Sequence, residues 1–218
     1  MGAAARRPYT ARVPRLWIVC AALLLTAVLA PPASAQTPLT AERFALLDDV
    51  YTATIALADR PSAKDFSAAR AACRALDSAD ALLGPLRKAC TAGIKMVKPI
   101  DEFARCRTAL GCLRSARRAR IALNDGIRTA RAANAAIDAA MLVGACRREL
   151  RASKAELRVL ERMRSLLRLV QETLVTGSPT LARRVRREAD AVDRLAAKQP
   201  SPARERKLFR AACAPPAA

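Results

Sequence analysis

The 218-residue chain contains no histidine, only seven glycines, and aromatic residues at 3%. Without histidine the commonest general base is gone, and any zinc site would have to be built from four thiolates. There is no Cys-x-x-Cys pair, no Gly-x-Ser-x-Gly, no Ser-x-x-Lys, no phosphate loop and no dinucleotide fingerprint. The acidic pairs Asp48-Asp49 and Asp101-Glu102 are neighbours in sequence. On a helix such neighbours point in different directions, so they read as solvated surface acids. The expectation is a protein that is not an enzyme and holds no cofactor and no metal. The few aromatics after residue 35 (Phe44, Tyr51, Phe66, Phe103 and Phe209) fall at expected core positions. Recognition of nucleic acid by stacking is therefore disfavoured.

Long apolar runs are also scarce. The single one is Leu16–Ala30, preceded by Arg6, Arg7, Arg12 and Arg15 and followed by Pro31-Pro32 and Ala33-Ser34-Ala35. A basic start, a short apolar middle and a small-x-small end make a secretory signal peptide. The run is shorter than the roughly 20 residues a membrane-spanning helix needs. Cleavage is expected after Ala35, so that residues 1–35 are a signal peptide and 36–218 a single helical domain. The mature chain has no other stretch fit to cross a membrane. Cys20 lies too early in the run to be a lipidation site.

Six cysteines remain in the exported portion: Cys73, Cys90, Cys106, Cys112, Cys146 and Cys213. An even number in an oxidising compartment reads as disulfides. Six cysteines allow 15 connectivities, and the expected pairs are Cys73–Cys90 and Cys146–Cys213. Cys106 and Cys112 would sit ~9 Å apart along one unbroken helix, on different sides of it, too far for a bridge. Either the helix breaks near Gly111 and they pair, or each reaches elsewhere.

What the chain has in quantity is alanine, leucine and arginine, all helix formers. Thr40 caps a first helix, with Leu39 stapled onto Phe44 and with Phe44, Leu47, Tyr51 and Ile55 on one side. Ser62 with Asp65 opens a second, whose stripe is Phe66, Ala69, Cys73 and Leu76. A third is expected from Pro85 to Val97, with Pro99 restarting the chain. Ile127, Ala130, Asn134, Ile137 and Met141 share a later stripe, and "LNDGI" at 123–127 reads equally as turn or helix. Asn134 is read as facing a polar gap or the rim, with fixing of helix register as the other reading. The leucine spacing predicts one helix from Ala145 to about Thr176, about 48 Å long. Ser178-Pro179 and Ser201-Pro202 start a return helix and a last short one. The fold class is all-α, an antiparallel helical bundle braced by disulfides.

Charge is the positive signal. The chain has 39 basic and 19 acidic residues. Arg147, Arg151, Lys154, Arg158 and Arg162 recur every three or four residues and predict one basic ridge on the long helix. Two more clusters follow, at Arg183-Arg184-Arg186-Arg187 and Arg204-Arg206-Lys207-Arg210. Arginine forks suit phosphate, so the ridge is a candidate anion-binding site. GC-rich coding gives the same bias, and then the ridge is only a solvated face. The expected role is that of a secreted or periplasmic, non-catalytic bundle acting on a protein partner by contact or structural support. The alternative is a binder of anionic envelope polymer or membrane surface.

Overall fold

The computed structural model of the protein describes residues 38–59 and 62–215. The expected leader and cleavage site lie outside the described residues, as does the expected helix stop at Arg60-Pro61. Among the described residues there is no strand, and the all-α expectation holds. Each helix start has a local cause. Thr40 accepts the Arg43 N–H at the head of α1, Ala41–Asp59. Ser62 and Asp65 close a capping box on α2, Ala63–Ala75. Asp80 accepts the N–H groups of Leu82 and Leu83 at 2.8 and 2.9 Å and so launches α3, Leu83–Ala104. Thr108 caps α4, Ala109–Ala139, through the Gly111 N–H. α5, Gly144–Leu150, is followed by α6, Lys154–Thr176, which ends at Gly177 in the left-handed region (φ 66°). Ser178 and Ser201 cap α7, Pro179–Ala196, and α8, Pro202–Cys213, each with proline in the first turn.

The α3–α4 hairpin is the spine. Gly126 lets the two helices approach closely, for a Cβ there would run into the sulfur of fully buried Met96. One core lies along the half of the spine nearer the α3–α4 turn. There Met96, Val97 and Ile100 meet Ala116, Leu123 and Ile127, closed over by α6 (Val159, Leu160, Met163, Leu167) and α7 (Val192, Ala196). The second core lies along the other half. Leu83 and Leu86 meet Ile137, closed over by α1 (Leu47, Val50, Tyr51), α5 (Cys146, Leu150) and Phe209 of α8. A smaller cluster of Leu57, Ala69, Cys73 and Ile94 seats α2.

Three disulfides fasten this arrangement. Cys73–Cys90 ties α2 to α3, Cys106–Cys112 closes the α3–α4 turn, and Cys146–Cys213 ties α5 to the end of α8. Their Cα separations are 5.8, 5.1 and 4.6 Å, inside the range a bridge requires. The break that brings Cys106 to Cys112 is not at Gly111. It falls between Ala104 and Ala109, where Thr108 starts the new helix, and Gly111 is an ordinary first-turn residue.

Three other expectations are corrected, and the open reading of "LNDGI" is decided. Pro99 does not restart the chain but sits inside α3. The carbonyl it leaves without a partner belongs to Lys95, an exposed residue, while Val97 and Ile100 beside it are buried. "LNDGI" is helical throughout, because Leu123, Gly126 and Ile127 all face the core. Met141 leaves its stripe at a positive φ of 49° and is 51% exposed. The helix expected from Ala145 to Thr176 is two helices. The Ser153 hydroxyl accepts the Glu156 N–H (2.9 Å) and the Glu156 carboxylate accepts the Ser153 N–H, a capping box that begins α6 afresh.

Asn134 lines a polar gap with Arg131, Asp138 and Arg151, as expected, and it also secures that junction. Its Nδ2 donates to the Ala152 carbonyl (2.9 Å), and its Oδ1 accepts the Ala152 N–H (2.8 Å). Both backbone groups freed by the break are thereby satisfied within the protein, where Ala152 is only 3% exposed. Leaving such groups unpaired is costly. Asn134→Leu is expected to cost about 3 kcal/mol in urea unfolding and to speed hydrogen exchange at the Ala152 amide.

The bridges close loops of 67, 17 and 6 residues. Loop entropy then ranks their contributions at about 4, 3 and 2 kcal/mol. Paired Cys→Ser variants should lower the unfolding midpoint most for Cys146/Cys213 and least for Cys106/Cys112.

Candidate functional site

The helix break divides the predicted basic ridge. Arg147 is half-buried on α5, Arg151 lies in the extended link, and Lys154, Arg158 and Arg162 share one line on α6 at intervals of four. Arg151 and Arg162 are held by acids. Arg151 reaches Asp138 of α4 at 2.9 Å, and Arg162 reaches Glu188 of α7 at 3.2 Å. Lys154 and Arg158 are exposed and, among the described residues, form no ion pair. The structure does not gather the five into one continuous ridge, because the Ser153–Glu156 capping box starts a new helix between Arg151 and Lys154.

The cluster at Arg204–Arg210 is divided in another way. Arg206 and Arg210, one turn apart on α8, each donate two hydrogen bonds to Asp48 of α1, at 2.7 to 2.9 Å. Asp48 is 8% exposed, so it is not a solvated surface acid, and its neighbour Asp49 is exposed. Hydrogen bonds first from Arg206 and then from Arg210 outweigh burial and hold the Asp48 carboxyl well below the usual carboxylate range. The same bonds raise both guanidinium groups. These two arginines lock α8 onto α1, leaving Arg204 and Lys207 exposed. The other acidic pair also serves the frame: Asp101 pairs with Arg105 at 2.8 Å and Glu102 with Arg118 at 2.9 Å, beside the α3–α4 turn.

The cluster on α7 is intact. Val185, Val192 and Ala196 form its buried seam. At 100° per residue, Arg183, Arg187 and Arg194 fall within about 20° of the line opposite that seam. Arg184 and Arg186 flank it, about 100° to either side. All five are exposed, and among the described residues none forms an ion pair. The line from Arg183 to Arg194 runs about 16 Å and is interrupted in charge only by Asp190. Unengaged guanidinium forks at this spacing can make paired hydrogen bonds to phosphate, sulfate or carboxylate groups on an extended partner. Sequence reasoning named Arg183, Arg184, Arg186 and Arg187 but not Arg194, and weighted the longer series on α5 and α6. The signal that favours α7 is the Leu181, Val185, Val192, Ala196 spacing, which fixes the seam and so turns the arginines outward.

No protein-family model, no curated protein and no solved structure matches this chain. Among the described residues no helix is long and apolar enough to cross a membrane, and no group of side chains is arranged to hold a metal ion.

Asp48→Asn is expected to cost about 2 kcal/mol at neutral pH. The folded-state pKa of Asp48 lies below its unfolded value, so the clamp contributes fully above about pH 4 and is lost as pH falls through the folded value. Unfolding curves of wild type and variant should converge in acid, and a gap that stayed constant with pH would refute the clamp.

Proposed function

We propose that this protein is a non-catalytic, exported helical bundle of the cell envelope or exterior, and that it works by holding an anionic polymer or membrane surface against α7. Three disulfides support a life in an oxidising compartment. The observation that carries the reading is the row Arg183, Arg187 and Arg194, opposite the buried seam of its helix and without an ion pair among the described residues, in a chain where Asp48 binds two arginines. An exposed arginine row with a net positive background attracts polyanions at long range and grips them at short range. Lys154 and Arg158, on the helix packed against α7, extend the positive surface.

Contact with a protein partner is the second reading. It is favoured by Val175, 72% exposed beside Leu174 at the α6–α7 turn. Ionic strength separates the two: an anionic contact weakens steeply with salt, and an apolar one does not. Each basic residue near an anionic bilayer is worth about 1 kcal/mol. Replacing Arg183, Arg187 and Arg194 by glutamine should therefore weaken binding to phosphatidylglycerol vesicles or long-chain polyphosphate on the order of 100-fold. Co-sedimentation at low and high salt measures both effects. Binding that ignores salt and survives the triple substitution would eliminate the α7 reading.

A further inference from the structure

The wall of one cavity runs against the charge of the whole molecule. It measures about 270 Å³ and lies where the α5–α6 junction, the end of α7 and the start of α8 meet. Three helices each turn a carboxyl toward it: Glu149 from α5, Glu156 from α6 and Glu205 from α8. Glu156 and Glu205 are each 2% exposed. Glu156 is partly engaged, because its carboxylate accepts the Ser153 N–H. Glu205 is not: its Oε1 is buried and has no hydrogen-bond partner. Nearby donors are committed elsewhere or reach outward. Buried Tyr51 donates its hydroxyl to the Glu149 backbone carbonyl (3.3 Å), and Lys198, the cation in the wall, is exposed.

The unpaired state of Glu205 is not for want of cations. The chain has twice as many basic as acidic residues, and the buried Asp48 takes two arginines. Yet none of the three glutamates forms an ion pair among the described residues. Leu195, Pro200 and Leu208 make the apolar part of the wall, beside the polar Ser153 and Gln199, and exposed Ala155, Lys198 and Leu208 mark its mouth. A buried, unpaired carboxylate is expensive, so burial without a cation favours the protonated acid. Burial first, then the negative charges of Glu156 and Glu149, push Glu205 up to about 9. Burial outweighs the Ser153 hydrogen bonds at Glu156 and pushes it up to about 7, and burial also raises Glu149.

We propose that this cavity is a binding site for a small organic cation, an ammonium or guanidinium group carried on a short aliphatic chain, with Glu205 as its principal counter-ion and Glu156 and Glu149 as supports. The volume equals that of roughly nine waters of bulk liquid, which suits a short alkylamine and leaves the apolar wall to cover its chain. The cation displaces the Glu205 proton to solvent, so binding is coupled to release of one proton between the two raised pKa values. The affinity therefore rises with pH across that interval, about tenfold per unit. The alkylammonium itself keeps its charge there, since amines of this type titrate near 10.4.

The test is calorimetric titration of the full protein with n-butylammonium and, as a neutral probe of similar bulk, 1-pentanol. It is run at pH 7.0, 7.5 and 8.0 in two buffers of different protonation enthalpy. Butylammonium should bind with near-stoichiometric proton release and an affinity that rises about tenfold over that unit, whereas pentanol should release none. Glu205→Gln, which mimics the neutral acid and so preserves packing, should abolish proton release and weaken butylammonium by at least about tenfold while leaving pentanol unchanged. Glu149→Gln, at a half-buried position, should weaken it less. The proposal is overturned if butylammonium binds no tighter than pentanol, if no proton is released, or if Glu205→Gln binds the amine as wild type does.

Discussion

Phe209 has no exposed surface, and its own helix could not hide it. α8 has twelve residues, a length at which an isolated helix is marginal in water, so it exists because it is docked. The docking has three physically different parts. The ring of Phe209 stacks between Phe44 and Tyr51, with centroids 5.2 and 4.8 Å away. Arg206, one turn before Phe209, and Arg210, directly after it, converge on Asp48. At the helix end Cys213 is bonded to Cys146 of α5. Apolar burial supplies most of the driving force, the clamp fixes rotation about the helix axis, and the bridge removes most of the entropy of a long open loop. The second core closes only with α8 in place, and α8 is also what carries Glu205 to the α5–α6 junction.

That junction depends in turn on Asn134. A buried helix break exposes backbone donors and acceptors that water cannot reach, and a single amide side chain answers both groups of Ala152. The break it stabilises redirects the chain, so that α5 pairs with α8 while α6 pairs with α4 and α7. Glu156 then has two consequences at one position. As the third residue of α6 it completes the cap, and as a 2% exposed acid it forms part of the cavity wall. A local capping preference has become an electrostatic feature of the tertiary structure.

The readable parts of the sequence were those with local causes. Ser62 with Asp65, Ser178-Pro179 and Ser201-Pro202 each announce a helix start, because caps act within one turn. The break at Arg151–Ser153 was hidden because Leu150, Leu160 and Leu167 are all buried. Apolar periodicity reports which face is inward and says nothing when the helix axis changes direction between two inward residues. The cue was present as Ser153-x-x-Glu156, and an unbroken leucine series overrode it. Asp48 and Glu205 could not be read at all. Each sits in an unremarkable local context, and their opposite fates follow from contacts across 158 and more residues in one case and from the absence of any partner in the other.

The two proposed sites share α7 and work at different ranges. The arginine row faces solvent, and the last turn of the same helix carries Leu195, which lines the acidic cavity. At physiological ionic strength fields between exposed charges fade over about 8 Å, so the surplus of basic residues repels a small cation only near the surface. Inside the cavity screening is weak and three carboxyl groups govern. An anion seated along α7 would neutralise the nearest of those repelling charges and ease entry at the mouth beside Lys198. Occupancy of the arginine face and of the cavity would then favour each other, with a coupling that fades as salt screens the approach.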